Sequence, residues 1–197
     1  PEENGDHVLY QGDLHLETLN CFDEMEIGVL IVEGNLTVDG SIYLTDDPLQ
    51  LLFVTGDLIA DNIVLSGGLI VNGNLTVKSC LLGDYNHGLT KIFGNATAYF
   101  FHPEEYFFDI VGTSNFQLAF GNAWRLNENE RAEVFNANTM KLSAFISLFH
   151  EDITNNLDLE CQAYLDSPAS EEHLWEYLDR GLFLEYVSTG RPVFKSA

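Results

Sequence analysis

Six histidines and 31 carboxylates give this 197-residue chain the raw material for acid–base or metal chemistry. His87 lies near Asp84, His102 near Glu104 and Glu105, and His150 directly before Glu151 and Asp152. Imidazole beside carboxylate is the donor set of zinc and hydrolytic sites. With so many acids, however, such neighbours arise by chance, and solvated surface positions account for each cluster. No GxSxG, Walker loop, GxGxxG or HExxH pattern occurs. Paired carboxylates on a β scaffold can cleave glycosides or uronides, but right-handed β-helix enzymes of that class are much longer. Cys21, Cys80 and Cys161 are odd in number and widely spaced, so they form neither a disulfide framework nor a CxxC metal motif. Buried thiols in a reducing compartment fit them, which points to the cytoplasm. The expectation is a non-enzymatic protein with no catalytic residue, metal or cofactor.

Binding chemistry is the stronger signal. The net charge is −23, and no Lys or Arg precedes Lys78. A field of one sign repels phosphate backbones and anionic lipid and attracts a basic partner. Nucleic acid and membrane are therefore excluded as direct ligands, and no apolar run approaches the roughly 18 residues a membrane helix needs. Pro1 to His7 are polar and acidic, giving no secretory signal. The longest polar interruption in the first half, Gly83 to Gly88, offers Asp84, Tyr85, Asn86 and His87 as contact residues: an acid, an aromatic anchor and an amide. Its simpler reading is a corner loop built from turn-forming residues. Asp46, Asp47, Glu104, Glu105 and Tyr106 complete the candidate docking set.

These residues must be positioned by a repeat. Five glycines, Gly12, Gly34, Gly56, Gly73 and Gly94, are each followed by Asp or Asn, at spacings of 22, 22, 17 and 21 residues. Two and four positions either side of each Gly, nineteen of twenty residues are apolar, the exception being Thr90. Positions −1 and +3 are mixed. This is strand periodicity with one face buried and the other mostly wet. The Gly keeps the phase through a bend where a side chain would clash or meet an unfavourable backbone angle. Connections this short cannot hold crossover helices, so parallel neighbours require a solenoid. A hairpin meander would need tight two-residue turns. A hexapeptide helix would need coils of constant length. The expected fold is therefore mainly β with an α-helical C-terminal part: a right-handed parallel β-helix of about five coils capped by C-terminal helices. Stacking would align the Asp and Asn residues in a polar column at one corner.

The repeat should occupy residues 8–124, ending in an aromatic stretch and an alternating run through Phe116, Leu118 and Phe120. Residues 125–197 should form a helical cap packed on the rod, because the final coil would otherwise expose apolar surface and free strand edge. Met140, Leu142, Phe145, Ile146 and Phe149 have helical spacing. Ser167-Pro168 predicts a helix start, with Leu174, Trp175 and Leu178 on its apolar face and Arg180-Gly181 as its stop.

The units Leu30–Val38 and Leu69–Val77, both reading Leu-Ile-Val-x-Gly-Asn-Leu-Thr-Val, resemble those of bactofilin-like, polymer-forming β-helix proteins, most closely an acidic bacterial subset. The resemblance implies end-to-end assembly without nucleotide. Irregular coil lengths, acidity and a large C-terminal segment depart from that pattern. In charge, the chain is similar to the immunity proteins of polymorphic toxin systems, whose acidic surfaces cover basic toxins. The leading expectation is an acidic immunity or inhibitor protein that neutralises a basic, nuclease-type toxin. The alternatives are a self-assembling scaffold, with a homo-oligomer, and a carbohydrate-active or acyltransfer enzyme.

Overall fold

Two parallel sheets of six strands each carry the chain from Asp6 to Ala119. The computed structural model describes residues 6–20, 27–44, 50–84, 88–104, 106–121, 134–154, 165–169 and 174–195. The first sheet stacks β1 (Asp6–Gln11), β3 (Ile27–Glu33), β5 (Leu51–Val54), β7 (Gly68–Val71), β9 (Leu89–Ile92) and β11 (Phe107–Ile110) in that order. The second stacks β2 (Leu14–Leu16), β4 (Leu36–Leu44), β6 (Leu58–Leu65), β8 (Leu75–Gly83), β10 (Ala96–Pro103) and β12 (Ser114–Ala119). Odd strands neighbour odd strands and even neighbour even, which is the connectivity of a parallel β-solenoid. A sixth strand–Gly–strand unit, turning at Gly112, follows the five that the sequence displays.

Register explains the repeat. Val32, Val54, Val71 and Ile92 stand in one column, Leu36, Leu58, Leu75 and Ala96 in another, and all are completely buried between the sheets. At the corner joining the sheets, a Cβ added to Gly56 or Gly73 would lie within 3.0 Å of the preceding coil's glycine backbone. Close stacking, rather than an unusual backbone angle, therefore excludes side chains there. Only Gly12 in this column has a positive φ, 103°, and no coil lies above it.

The expected polar column is present. Asp13 Oδ1 accepts from Asn35 N (2.8 Å), Asn35 Oδ1 from Asp57 N (2.8 Å) and Asp57 Oδ1 from Asn74 N (2.7 Å). Asn74 Oδ1 then accepts from Asn95 N (3.0 Å) and Asn95 Oδ1 from Thr113 N (2.9 Å). Asp and Asn alternate where acids occur, so no two carboxylates stack directly at the roughly 4.8 Å strand spacing.

The C-terminal part divides into an end plug and a lateral cover. Phe135 enters the coil interior and stacks on Phe101. The amides of Asn136 and Asn138 meet the backbone of Ala119, Gln117 and Gly121, capping edge groups beyond β12. The remainder lies along the outer face of the second sheet, where Val64, Cys80, Leu82, Phe100 and Leu118 form a second core with it. Phe100 packs against Phe149, Phe183 and Phe194.

The helices there are α1 (Leu142–Ile146), α2 (Leu174–Tyr177) and α3 (Arg180–Thr189). Arg180-Gly181 begins a helix instead of ending one. Asp179 caps it, its side chain accepting from Leu182 N at 2.9 Å, and the left-handed glycine that stops it is Gly190. Ser167 and Pro168 are not themselves helical; Pro168 forms an antiparallel bridge with Lys141. The C-terminal carbonyl of Val187 accepts from Ser41 Oγ at 2.5 Å and Asn62 Nδ2 at 3.4 Å, and Asn62 Oδ1 accepts from Cys80 N at 3.2 Å. Ser41 and Asn62 lie where the register between β4 and β6 shifts, so this irregularity in the sheet is the seat of α3.

Candidate docking surfaces

Leu44, Leu65, Gly83 and Pro103 share one register column, so the segments leaving β4, β8 and β10 start from the same corner of the solenoid. Those segments carry the docking residues expected from sequence. Asp46, Asp47, Tyr85, Asn86, His87 and Glu105 lie outside the described residues. Asp84 and Glu104 are turned towards the C-terminal cover. Asp84 Oδ1 accepts from Arg180 Nη2, and Glu104 Oε2 accepts from Trp175 Nε1 at 2.5 Å. Burial raises the Glu104 carboxyl above its ordinary range, helped by the charge of Asp84 and opposed by Trp175 and Arg180. The hydrogen bond from Arg180 to Asp84 raises the guanidinium value further. This cluster fastens the cover to the rod.

Tyr106 requires a correction: it is fully buried and cannot anchor a partner. Its hydroxyl donates to the Gly67 carbonyl at 2.6 Å and meets Thr90 Oγ1 at 3.0 Å. Its ring occupies the space that side chains at Gly83 and Gly88 would need. Desolvation raises the phenol well above its usual value. The Gly-rich flanks of this loop are thus explained by one packed ring.

Among the described residues, the histidines do not converge on a reaction centre. His102 is buried between Phe120 and Trp175, and its Nδ1 lies 2.7 Å from the Phe120 carbonyl. That carbonyl requires a proton on Nδ1. Burial depresses the ring to about 4, against smaller raising effects from this bond and from Asp84. A neutral, enclosed ring of this kind supports packing and cannot reach a substrate. His150 lies 3.5 Å from Asp152, half-exposed. Among the described residues, no three His, Cys, Asp or Glu side chains are grouped to hold a metal, and no helix is long and apolar enough to cross a membrane. Cys80 is buried, its thiol pushed up to about 12 by desolvation. A hollow of about 330 Å³ opens beside the polar ladder, between Asp13, His15, Thr37 and Ile59.

The surface that sequence reasoning missed is the outer face of the first sheet. Leu9, Ile31, Phe53 and Ile70 form one outward column across four coils. In the next column, Val29 stands beside Leu51, and Leu89 beside Phe107. Leu9, Leu89, Phe93, Phe107 and Val111 are each between 43% and 59% exposed. Lys91 and Asp109 interrupt the face but neutralise each other at 2.6 Å. The first strands of the second, third and fourth units, β3, β5 and β7, are therefore largely apolar on both sides, where one mostly wet face was expected. The signal was present in the consecutive apolar runs Val29–Val32, Leu51–Val54 and Leu69–Val71. Strict alternation would have placed polar residues at the outward positions of these runs, Val29, Ile31, Leu51, Phe53 and Ile70.

Comparison with protein-family models, with curated proteins and with solved structures found no match.

Proposed function

We propose that this β-solenoid is a non-enzymatic protein-binding module that neutralises a basic protein partner, in its most specific form an acidic immunity or inhibitor protein acting on a nuclease-type toxin. The observation that carries this reading is how the cations are used. All six described Lys and Arg residues already lie within 4.0 Å of one of the protein's own carboxylates: Lys78 with Asp61, Lys91 with Asp109, Lys141 with Asp166, Arg180 with Asp84, Arg191 with Glu185 and Lys195 with Glu151. The acidic excess of 31 over 8 is thus left to act on whatever approaches. Such a field accelerates association with a basic partner and disfavours nucleic acid and anionic membrane. The test is titration calorimetry against a purified, strongly basic nuclease domain, taken from a neighbouring gene where one encodes such a domain. At about 50 mM salt, binding and loss of nuclease activity are expected, with at least tenfold weaker binding at about 300 mM. Absence of binding at the lower salt overturns the reading.

A second reading, a self-assembling scaffold of bactofilin type, is favoured by the first coil. Every residue of β1 is exposed, including the lumen-facing Val8 and Tyr10, and among the described residues the strand pairs only with β3. Concentration-dependent light scattering would support it, and a monodisperse monomer across the range would remove it.

A further inference from the structure

On the reading that the protein takes a basic partner, we infer that the partner docks on the outer face of the first sheet, presenting a flat apolar patch edged by Lys or Arg. The two outer faces of the solenoid are treated differently. The second sheet's outer face is covered by the C-terminal helices and shares a continuous core with them. The first sheet's outer face carries comparable aliphatic and aromatic side chains, and among the described residues no element packs over it. A contiguous apolar face left open on a highly charged protein is the usual mark of an interaction site.

Its surroundings select the occupant. Glu33, Asp13 and Asp57 are exposed along one margin, where the strands turn at the glycine corner. At the loop corner Asp84 is paired with Arg180 and 17% exposed, so the free acidic charge stands along the glycine margin. An apolar strip, broken only by the mutually paired Lys91 and Asp109 and edged by that acidic margin, fits a partner of the inverse pattern, an apolar surface with cationic side chains at its edge. A second copy would bring together two chains of −23 each. Six strands at about 4.8 Å, with about five residues at 3.3 Å each, give a face of roughly 400 Å². That is about half of the roughly 800 Å² per partner in a standard interface, the usual proportion of apolar centre to polar rim. Flatness also restricts the partner, since a sheet face or a helix pair makes contact where a single protruding loop would not.

The probes are two 14-residue peptides of equal charge. One alternates Leu and Lys, folding as a strand with one apolar and one cationic side. The other alternates Ser and Lys. Binding is measured by fluorescence anisotropy at low salt to the full chain and to the double variant Phe53→Thr/Ile70→Thr, whose fold is checked by circular dichroism. The Leu–Lys peptide should bind the unmodified protein at least tenfold more tightly than the Ser–Lys peptide, and the double variant should abolish that advantage while Ser–Lys binding is unchanged. If both peptides bind and the Leu–Lys advantage survives in the variant, the basic-partner reading stands and the docking face lies elsewhere. If neither peptide binds, the basic-partner reading itself fails. Should the variant lose its fold, Phe93→Thr/Val111→Thr at the exposed end of the same face carries the same expectations. Sedimentation showing a dimer that these variants dissociate would overturn the assignment in favour of a second copy.

Discussion

Lowering the pH from 7.5 to 4.5 should destabilise the fold through His102. The ring is held neutral inside the protein, with its value depressed from 6.5 to about 4. The unfolded chain therefore takes up a proton first as pH falls. Stability contributed by the neutral ring is complete above pH 6.5 and is lost progressively on the way down to about pH 4. Linkage gives a loss of about 1 kcal/mol at pH 5.5 and about 3 kcal/mol at pH 4.5. The background runs the other way. Protonating the acid excess relieves self-repulsion, and Glu104, whose value is raised, also favours the folded state as it protonates. These effects are shared by a His102→Asn variant, whose amide can still donate to the Phe120 carbonyl. Urea unfolding of both proteins at pH 7.5, 6.5, 5.5 and 4.5 isolates the ring as a difference between two curves. That difference should change by about 3 kcal/mol across the range. A difference constant to within about 0.5 kcal/mol would refute the account of His102 as a neutral, desolvated group.

The remaining predictions concern packing. Tyr106→Phe leaves the Gly67 carbonyl and Thr90 hydroxyl without their shared partner, and should lower the free energy of unfolding by about 1–2 kcal/mol, read as a lower urea midpoint with unchanged slope. Gly73→Ala drives a methyl group into the Gly56 backbone at 2.6 Å and should cost at least about 2 kcal/mol by thermal melting; a neutral result would mean the coils are not stacked at this separation. Ser41→Ala/Asn62→Ala removes both side-chain donors to the Val187 carbonyl, so limited proteolysis should release the C-terminal cover before it cuts the rod. In a Cys21→Ser/Cys161→Ser background, Cys80 should resist iodoacetamide at pH 8 until denaturant is added, and native labelling at the rate of free cysteine would contradict its burial.

The solenoid was legible because its determinants are local and repeated. Each unit states its inward columns, its turning glycine and its Asp or Asn within nine residues, and stacking then follows from connection length. The sixth unit showed only as the alternating run through Phe116, Leu118 and Phe120, because Thr113 replaces the Asp or Asn after Gly112, although it occupies the same place in the ladder. The C-terminal part was legible in kind but not in boundaries. Arg180-Gly181 looks like a helix stop, yet the capping side chain of Asp179 decides the direction. Tyr106 looked like a surface anchor beside Glu104 and Glu105. Nothing in its neighbourhood could reveal that Gly83 and Gly88, twenty-three and eighteen residues earlier, leave the space its ring fills. The apolar outer face required knowing which of two exposed sides receives the C-terminal helices, a long-range fact that no single strand records.

The ladder of Asp and Asn side chains has a direction. In every rung the side chain belongs to the earlier coil and the amide it receives belongs to the later one. A newly made coil thus finds a side-chain acceptor already in place, while the amide just past each corner, such as Leu14 N, takes its carbonyl acceptor from the coil that follows. The two kinds of bond run in opposite senses through the same corner, so every inner coil is held to both neighbours, by a side chain on one side and by backbone on the other. Growth from the N-terminus would meet a prepared side-chain rung at each step and leave one amide for the next coil to receive.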